Sequence, residues 1–366
     1  MFPFPIDNVI MIAVGLGLIT IGIKKGYEPL LLLPIGFGCL LINIPYSVLF
    51  DPGQVLALLY TYGIETELFP ILLFIGIGAM CDFGYLLERP WLMVFAAAGQ
   101  IGIFITLNAA LALGFPPLQA CSIGIIGAMD GPTAVYVTST YAPEILPAVV
   151  VCAYSYMSMV PIIMIPLVRV LTTKKERMVR MEYTPKAYSK AIKIIFPLVI
   201  VIITGIIAPM GLPLMGFLMF GNFLRESGVV GRLVKCSENE IANVTTLFLG
   251  ITIGGTMAAE RFLRVETLMI FGLGIVAFVC AVSIGILFGK AAYALSKGKV
   301  NPIVGACGIS AFPMAGRTAH MIARREDPFN YTILMNATGA NTAGQIASVI
   351  AGGVILTYAP QLLGLV

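Results

Sequence analysis

Charge is scarce in this chain. Asp, Glu, Lys and Arg make up 11% of its 366 residues and hydrophobic residues 59%, against about 25% and 45–50% in ordinary soluble domains. A water-soluble fold with that balance would lack the polar surface to cover itself. The net charge is only +4, and the Lys and Arg sit in short loops, so no basic patch for nucleic acid is formed. Histidine occurs once, as His320. With no second His or Cys nearby it argues against a metal centre and for an exposed or interfacial side chain. The seven cysteines (Cys39, Cys81, Cys121, Cys152, Cys236, Cys280 and Cys307) contain no CxxC pair and lie almost all in apolar runs. They read as small buried hydrophobes, not as disulfide or metal partners. The start lacks the basic flank and small-residue cleavage site of a secretory signal, so the run 9–23 is expected to be a retained helix.

What is present is a series of long apolar runs, near 9–23, 29–45, 68–87, 91–113, 145–171, 191–208, 212–224, 241–259, 267–295 and 329–357. Each approaches the length of a helix crossing about 30 Å of hydrocarbon. The expected class is therefore an all-α polytopic membrane protein. Two shorter stretches, 116–140 and 301–323, are interrupted by Gly and Pro. Lys24 and Lys25, Arg89, and the loop with Lys174, Lys175, Arg177, Arg180, Lys186 and Lys190 are assigned to the cytoplasm by the positive-inside rule. Since 91–113 leaves the cytoplasm and 145–171 returns to it, the segment between them cannot cross an odd number of times and should be re-entrant. The same count puts Lys290, Lys297 and Lys299 in the cytoplasm, so 301–323 should dip in from the other side. One constant offset lays Met80 on Met257, Leu86 on Leu263, Gly131 on Gly308, Thr133 on Ser310 and Ala134 on Ala311 without a gap. Opposite insertion with sequence repetition predicts an inverted-topology repeat. The domains expected are N-terminal helices (1–66), a first repeat (67–171), a basic loop with connecting helices (172–240) and a second repeat (241–366).

Asp130 is the only charged residue between Arg89 and Glu144, and it stands in Gly127-Ala128-Met129-Asp130-Gly131-Pro132-Thr133. A carboxylate in such surroundings costs several kcal/mol unless a cation, a proton or a water-lined cavity compensates it. Its Gly and Pro neighbours break the helix there, and broken backbone within a membrane is tolerated where it lines a site. Around Asp130 the hydroxyl of Thr133 and loosened carbonyls add neutral oxygens; the second stretch offers Asn301, Ser310 and the carbonyls about Gly305, but no acid. Oxygen ligands with one carboxylate suit a hard monovalent ion, Na⁺ or H⁺, better than Ca²⁺. Arg317 either faces the same cavity or snorkels to the surface. Tyr154 and Tyr156 read first as core packing, and Asn336, Asn341 and Gln345 as helix-packing amides, the last two sharing a face.

With these stretches in view, the chain resembles the β subunit of the biotin-dependent, sodium-pumping decarboxylases that act on oxaloacetate, methylmalonyl-CoA or glutaconyl-CoA. The matching segments are 28–38, Gly124-Ile125-Ile126-Gly127 leading into Asp130-Gly131-Pro132-Thr133-Ala134, Ala153-Tyr154-Ser155-Tyr156-Met157, 220–230, and Asn301-Pro302 through Ser310-Ala311 with Pro313-Met314-Ala315. The resemblance implies a multi-pass subunit of a prokaryotic plasma membrane that decarboxylates carboxybiotin on a partner's carrier domain, takes up a proton and exports Na⁺. It implies that Asp130 binds Na⁺, with Thr133 beside it, and that Asn301, Gly305 and Ser310 complete the ion and proton path. Tyr156 and Arg317 would serve the ion site or the carboxybiotin. It further implies an elevator-type carrier, a homo-oligomer of this chain, and biotin carrier, carboxyltransferase and small membrane subunits as partners, the biotin being borne by the partner. Two departures stand out: Met129 where the family usually has a small residue, and Asn336 where relatives often have His. The rival class is an autonomous Na⁺-coupled secondary transporter, which an inverted repeat alone equally allows. A purely structural subunit is disfavoured by Asp130.

Overall fold

The computed structural model describes residues 5–26, 29–181 and 188–362. Lys186 of the basic loop and the Glu28 end of the 28–38 segment lie outside them. Among the described residues every regular element is helical. The chain opens with α1 (Ile6–Lys25), α2 (Pro29–Ile42), α3 (Val55–Leu59), α4 (Leu68–Met80), α5 (Gly84–Glu88) and α6 (Met93–Ala112). The first broken stretch gives α7 (Pro117–Gly124) and α8 (Gly131–Tyr141), followed by α9 (Leu146–Ser158), α10 (Val160–Leu171), α11 (Lys174–Arg177), α12 (Lys190–Ile207) and α13 (Leu212–Ser227). Then come α14 (Gly231–Cys236), α15 (Ala242–Gly255), α16 (Ala259–Phe262), α17 (Val265–Leu295), α18 (Met314–Glu326) and α19 (Ile333–Leu362).

Hydropathy alone set too uniform a length on these helices. Five are long and apolar enough to span a bilayer, or seven if two bent pairs each count as one. The run 145–171 is one such pair, bent by 61° between α9 and α10, where Pro161 removes a backbone donor and disfavours helical geometry before it. The run 68–87 stops at Met80 and resumes as the short α5, and 29–45 ends at Ile42. A helical segment at 55–65, absent from the apolar runs, precedes α4 at a 60° bend, with Glu67 in the left-handed region at φ 64°.

The helices pack in two groups. One gathers α1, α2, α4, α12, α13 and α15; the other gathers α6 to α10 with α17, α18 and α19. In the first group the helices meet backbone to backbone. A Cβ at Gly78 would lie 1.8 Å from Leu218 O and one at Gly221 2.1 Å from Ile75 O, closing α4 on α13. Gly38 and Gly254 do the same for α2 and α15. Small residues of this kind drive helix association in lipid, where no hydrophobic effect separates one apolar helix from another. The outer face of α12 exposes Ile195, Ile202 and Ile206, a surface suited to hydrocarbon.

The two broken stretches are anchored at opposite ends of α19. The first has Gln119 Nε2 donating to Glu144 Oε1 (2.8 Å) and Tyr141 Oη to Ile355 O (3.0 Å), near the C-terminus of α19. The second is tied to the basic loop. Asn301 Nδ2 donates to Arg177 O (3.0 Å) and Val179 O (2.9 Å), Arg177 pairs with Glu326 (3.0 Å), and Arg180 grips Asp327 with two donors. Asn330 Nδ2 donates to Val179 O (3.1 Å) just before α19 begins.

Candidate functional site

The first break is built from local chemistry. A 3-10 turn, Ile125–Ala128, ends in Met129 at φ 56°, in the left-handed region. Asp130 is then extended and caps α8, its Oδ1 accepting from Thr133 N at 3.3 Å. An aspartate is favoured there because its side chain satisfies an orphan amide and its charge meets the positive end of the helix dipole. Pro132 in the first turn lacks only a donor that the helix would leave free. Gly131 cannot carry a side chain: its Cβ would lie 2.2 Å from the ring of Tyr154.

In the second break, Asn301 caps a seven-residue 3-10 helix, Pro302–Gly308, by accepting from Ile303 N (3.0 Å). The chain is extended at Ile309, and α18 starts at Met314. The two breaks touch, Ser310 N donating to Ala128 O at 3.2 Å. Mid-α19 laces them together. Asn341 Nδ2 donates to Ile309 O (2.6 Å), Gln345 Nε2 to Ser310 O, Ser310 Oγ to Gly344 O (2.7 Å), and Ser348 Oγ to Asp130 Oδ2 (2.6 Å).

At this crossing Asp130 is 3% exposed, and among the described residues no cationic side chain is bonded to it. The amides bonded to the second break leave Asn341 Oδ1, Gln345 Oε1 and Gln100 Oε1 buried with no partner among the described residues, and the Thr133 hydroxyl has no well-formed hydrogen bond. Buried acceptors without donors are costly and rare. A single carboxylate with several neutral oxygens is the donor set of a hard monovalent cation. Among the described residues no three His, Cys, Asp or Glu gather as a metal site.

The structure thus brings Asp130, Thr133 and Ser310 together. Asn301 and Gly305 lie further toward the basic end. Asn301 is engaged as a cap and as a strap to the 177–179 backbone, while Gly305 packs on α17, where a Cβ would come within 2.0 Å of Gly285 O. Tyr156 points away, its hydroxyl bonded to Phe271 O (2.7 Å) and its ring against Gly274; it is Tyr154 that abuts the break. Arg317 is exposed on α18. Ser348 and Gln100 were not found from sequence. Ser348 extends the Asn341–Gln345 face by one further turn, a spacing that was available to read. Gln100 is a lone amide whose Nε2 reaches Gly308 O only at 3.4 Å, and nothing in its local sequence sets it apart.

The model of the Na⁺-transporting oxaloacetate decarboxylase beta subunit family matches residues 7–359. The chain is 45% identical to the methylmalonyl-CoA decarboxylase subunit beta of Veillonella parvula, over 96% of this chain and 93% of the relative. It is 43% identical to the glutaconyl-CoA decarboxylase subunit beta of Acidaminococcus fermentans, over 96% and 93%. Against the oxaloacetate decarboxylase beta chain 2 of Salmonella typhi the identity is 40%, over 95% and 94%.

Proposed function

This chain belongs to the Na⁺-transporting decarboxylase beta subunit family, and from that premise we propose that it is the membrane subunit that couples decarboxylation of a partner's carboxybiotin to Na⁺ export and proton uptake. The observation that carries the reading is Asp130, the sole acid at the crossing of two broken helices, where buried neutral oxygens are left unpaired. A buried carboxylate that is both charged and empty is strongly disfavoured. Na⁺ and H⁺ therefore compete for it, and a site that opens alternately to the two sides becomes an exchanger. Ser310, Thr133 and Ser348 supply neutral oxygens that hold the ion when the carboxylate does, and release it when Asp130 takes a proton.

Anchoring of the breaks at opposite ends of α19, and the offset that superposes them, support an inverted repeat of 67–171 and 241–366. Separation into two packing groups supports an elevator, with the α6–α10, α17–α19 group carrying the site against a static, oligomer-forming partner group. The basic end, with Arg89, Arg177 and Arg180, is the cytoplasmic side on this reading, of a prokaryotic plasma membrane. There the biotin carrier, carboxyltransferase and small membrane subunits would assemble. Arg317 would hold the carboxylate of the incoming carboxybiotin, and loss of that anion would change the balance of charge near the ion site.

The test is Asp130→Asn in the complex purified with its native partners. It removes a buried charge without changing the packing, so the fold should survive while Na⁺-dependent carboxybiotin decarboxylation and ²²Na⁺ uptake into vesicles both fall to background. Full turnover with normal Na⁺ dependence would overturn the assignment. An autonomous Na⁺-coupled transporter, the reading the opposed breaks also allow, would instead move ²²Na⁺ with no decarboxylase partner present.

A further inference from the structure

The polar face of α18 is not absorbed by the ion site. Ala315, Thr318, Ala319, Ile322 and Ala323 bury one side of this helix. On the other, Arg317, His320 and Arg324 follow at i, i+3 and i+7, which aligns them along one face. Arg317 and Arg324 are exposed. A guanidinium only seven positions beyond Ser310 is not stable against lipid, so this face looks on water. Arg324 is fixed by its surroundings: its guanidinium lies 4.5 Å over the ring of Tyr331, Nη2 donates to Tyr331 Oη (3.2 Å) and Nε to Pro328 O (3.4 Å). Tyr331 is 55% exposed, and its ring centroid is 6.4 Å from that of His320.

His320 is the only histidine in the chain, and its Nδ1 is buried with no hydrogen-bond partner among the described residues. An imidazole nitrogen left in that way, in a ladder of two cations and an exposed aromatic ring, is out of keeping with a packing residue. The charged groups near it are few. α19 and the 302–308 turn bring none, α10 brings only Arg169, which is exposed, and α11 brings Lys174 and Lys175, both exposed, with Glu176 paired to Lys290 and Arg177 to Glu326.

We propose that His320 is the general acid of carboxybiotin decarboxylation, with Arg317 and Arg324 seating the carboxylate and Tyr331 walling the ureido ring. This rests on the function proposed above. In the step, the bond between the ureido nitrogen and the carboxyl carbon breaks, CO₂ leaves, and the electron pair stays on the ureido group. His320 donates its proton to that nitrogen and is recharged by the proton that the transport cycle takes up. The electrostatics give the step a direction. Burial and the Arg324 guanidinium beside it disfavour an imidazolium, the bound carboxylate offsets that charge, and its departure as CO₂ removes the offset as the proton is needed.

The test uses His320→Gln, which keeps a polar planar side chain but does not titrate. Decarboxylation of free carboxybiotin by the complex should fall roughly 100-fold, the ordinary worth of a general acid, and its pH profile should lose the limb that reports the histidine. Na⁺-dependent thermal stabilisation, the property that belongs to Asp130, should persist. A wild-type rate and pH profile would overturn the proposal. So would loss of Na⁺ stabilisation, because His320 would then serve the ion site or the fold. Independently of turnover, tag-free protein with ¹³Cε1-labelled histidine gives one imidazole resonance. Its titration midpoint should rise when Arg324→Gln removes a neighbouring charge; an unmoved midpoint would show that Arg324 does not act on the ring.

Discussion

The two broken helices share a geometry and differ in chemistry. Each interrupts a helix near the middle of the bundle, each is capped by an Asx side chain, and they touch through Ser310 N and Ala128 O. The first carries a charge, Asp130, at the start of α8, and among the described residues nothing from the basic loop bonds to it. The second carries no acid at all, and is instead strapped at both ends to residues 177–180 by Asn301, Glu326 and Asp327. One break holds the charge that is proposed to decide ion occupancy; the other supplies dipoles, and its anchoring lies on the side where the partners are proposed to act. A mechanical link from that loop to the ion site would therefore run through the second break, by way of Ser310, Gln345 and Ser348 to Asp130.

The all-or-none test of the comparison is sidedness. Single cysteines at Thr140 and at Arg325, in a background with the native cysteines replaced, should be modified by an impermeant thiol reagent from opposite faces of the membrane. Five of the seven native cysteines are buried, so small apolar replacements are expected to be tolerated. Modification of both positions from the same face would end the opposed-insertion reading.

Much of this contrast was legible beforehand. Asp130 among Gly, Gly and Pro announces a capped break, and Asn301-Pro302 with its glycines announces another, because caps and breakers act over a few residues. The bend at Pro161 was equally local. What was hidden was tertiary. Ser348 is one hydroxyl among many in α19 and becomes a partner of Asp130 only once the helix is threaded past the first break. Tyr154 and Tyr156 are two residues apart on one helix, so their side chains diverge, and sequence gave no reason to prefer the one that meets Gly131. The 55–65 segment does not stand out as an apolar run because Thr61, Gly63 and Glu65 dilute its apolar content, although its 60° bend into α4 rests on Glu67 in the left-handed region.

Arg317→Lys comes next in size. A guanidinium offers a carboxylate two parallel donors where an ammonium is a point charge. Carboxybiotin decarboxylation should drop roughly tenfold or more, equivalent to about 1.4 kcal/mol, with Na⁺-dependent thermal stabilisation kept. Equal rates for the Arg and Lys forms would return Arg317 to the role of a snorkelling surface residue. Ser348→Ala probes the bridge between the breaks. It deletes a 2.6 Å hydrogen bond to a buried carboxylate, a bond of the charge-assisted kind worth about 1.5–3 kcal/mol. With that donor gone, the balance of Na⁺ and H⁺ on Asp130 should move, seen as a shift in the Na⁺ concentration for half-maximal turnover at fixed pH. An unchanged Na⁺ dependence would detach α19 from the site.

The smallest effect is expected at the strap on the second break. Arg180 and Asp327 meet through two hydrogen bonds, one of them 2.9 Å, with the Arg180 side chain 59% exposed to solvent. The hydrogen bond from Arg180 holds the Asp327 carboxyl below its ordinary range. A carboxyl depressed on folding contributes stability that is present above the unfolded value, near 3.9, and is lost as pH falls through the lower folded value. Between pH 5 and 8 the contribution is thus constant. Asp327→Asn should lower Tm slightly across that range, with the wild-type and variant curves converging in acid below about pH 4. Solvent and salt screen the pair from the exposed Arg180 side, Asp327 itself being buried, so added NaCl should also narrow the gap. KCl belongs in the same experiment, because an effect of NaCl beyond that of KCl would report occupancy of the Asp130 site and not screening. A Tm difference that grew in acid would mean that Asp327 is held by something other than Arg180, and the strap would lose its electrostatic basis.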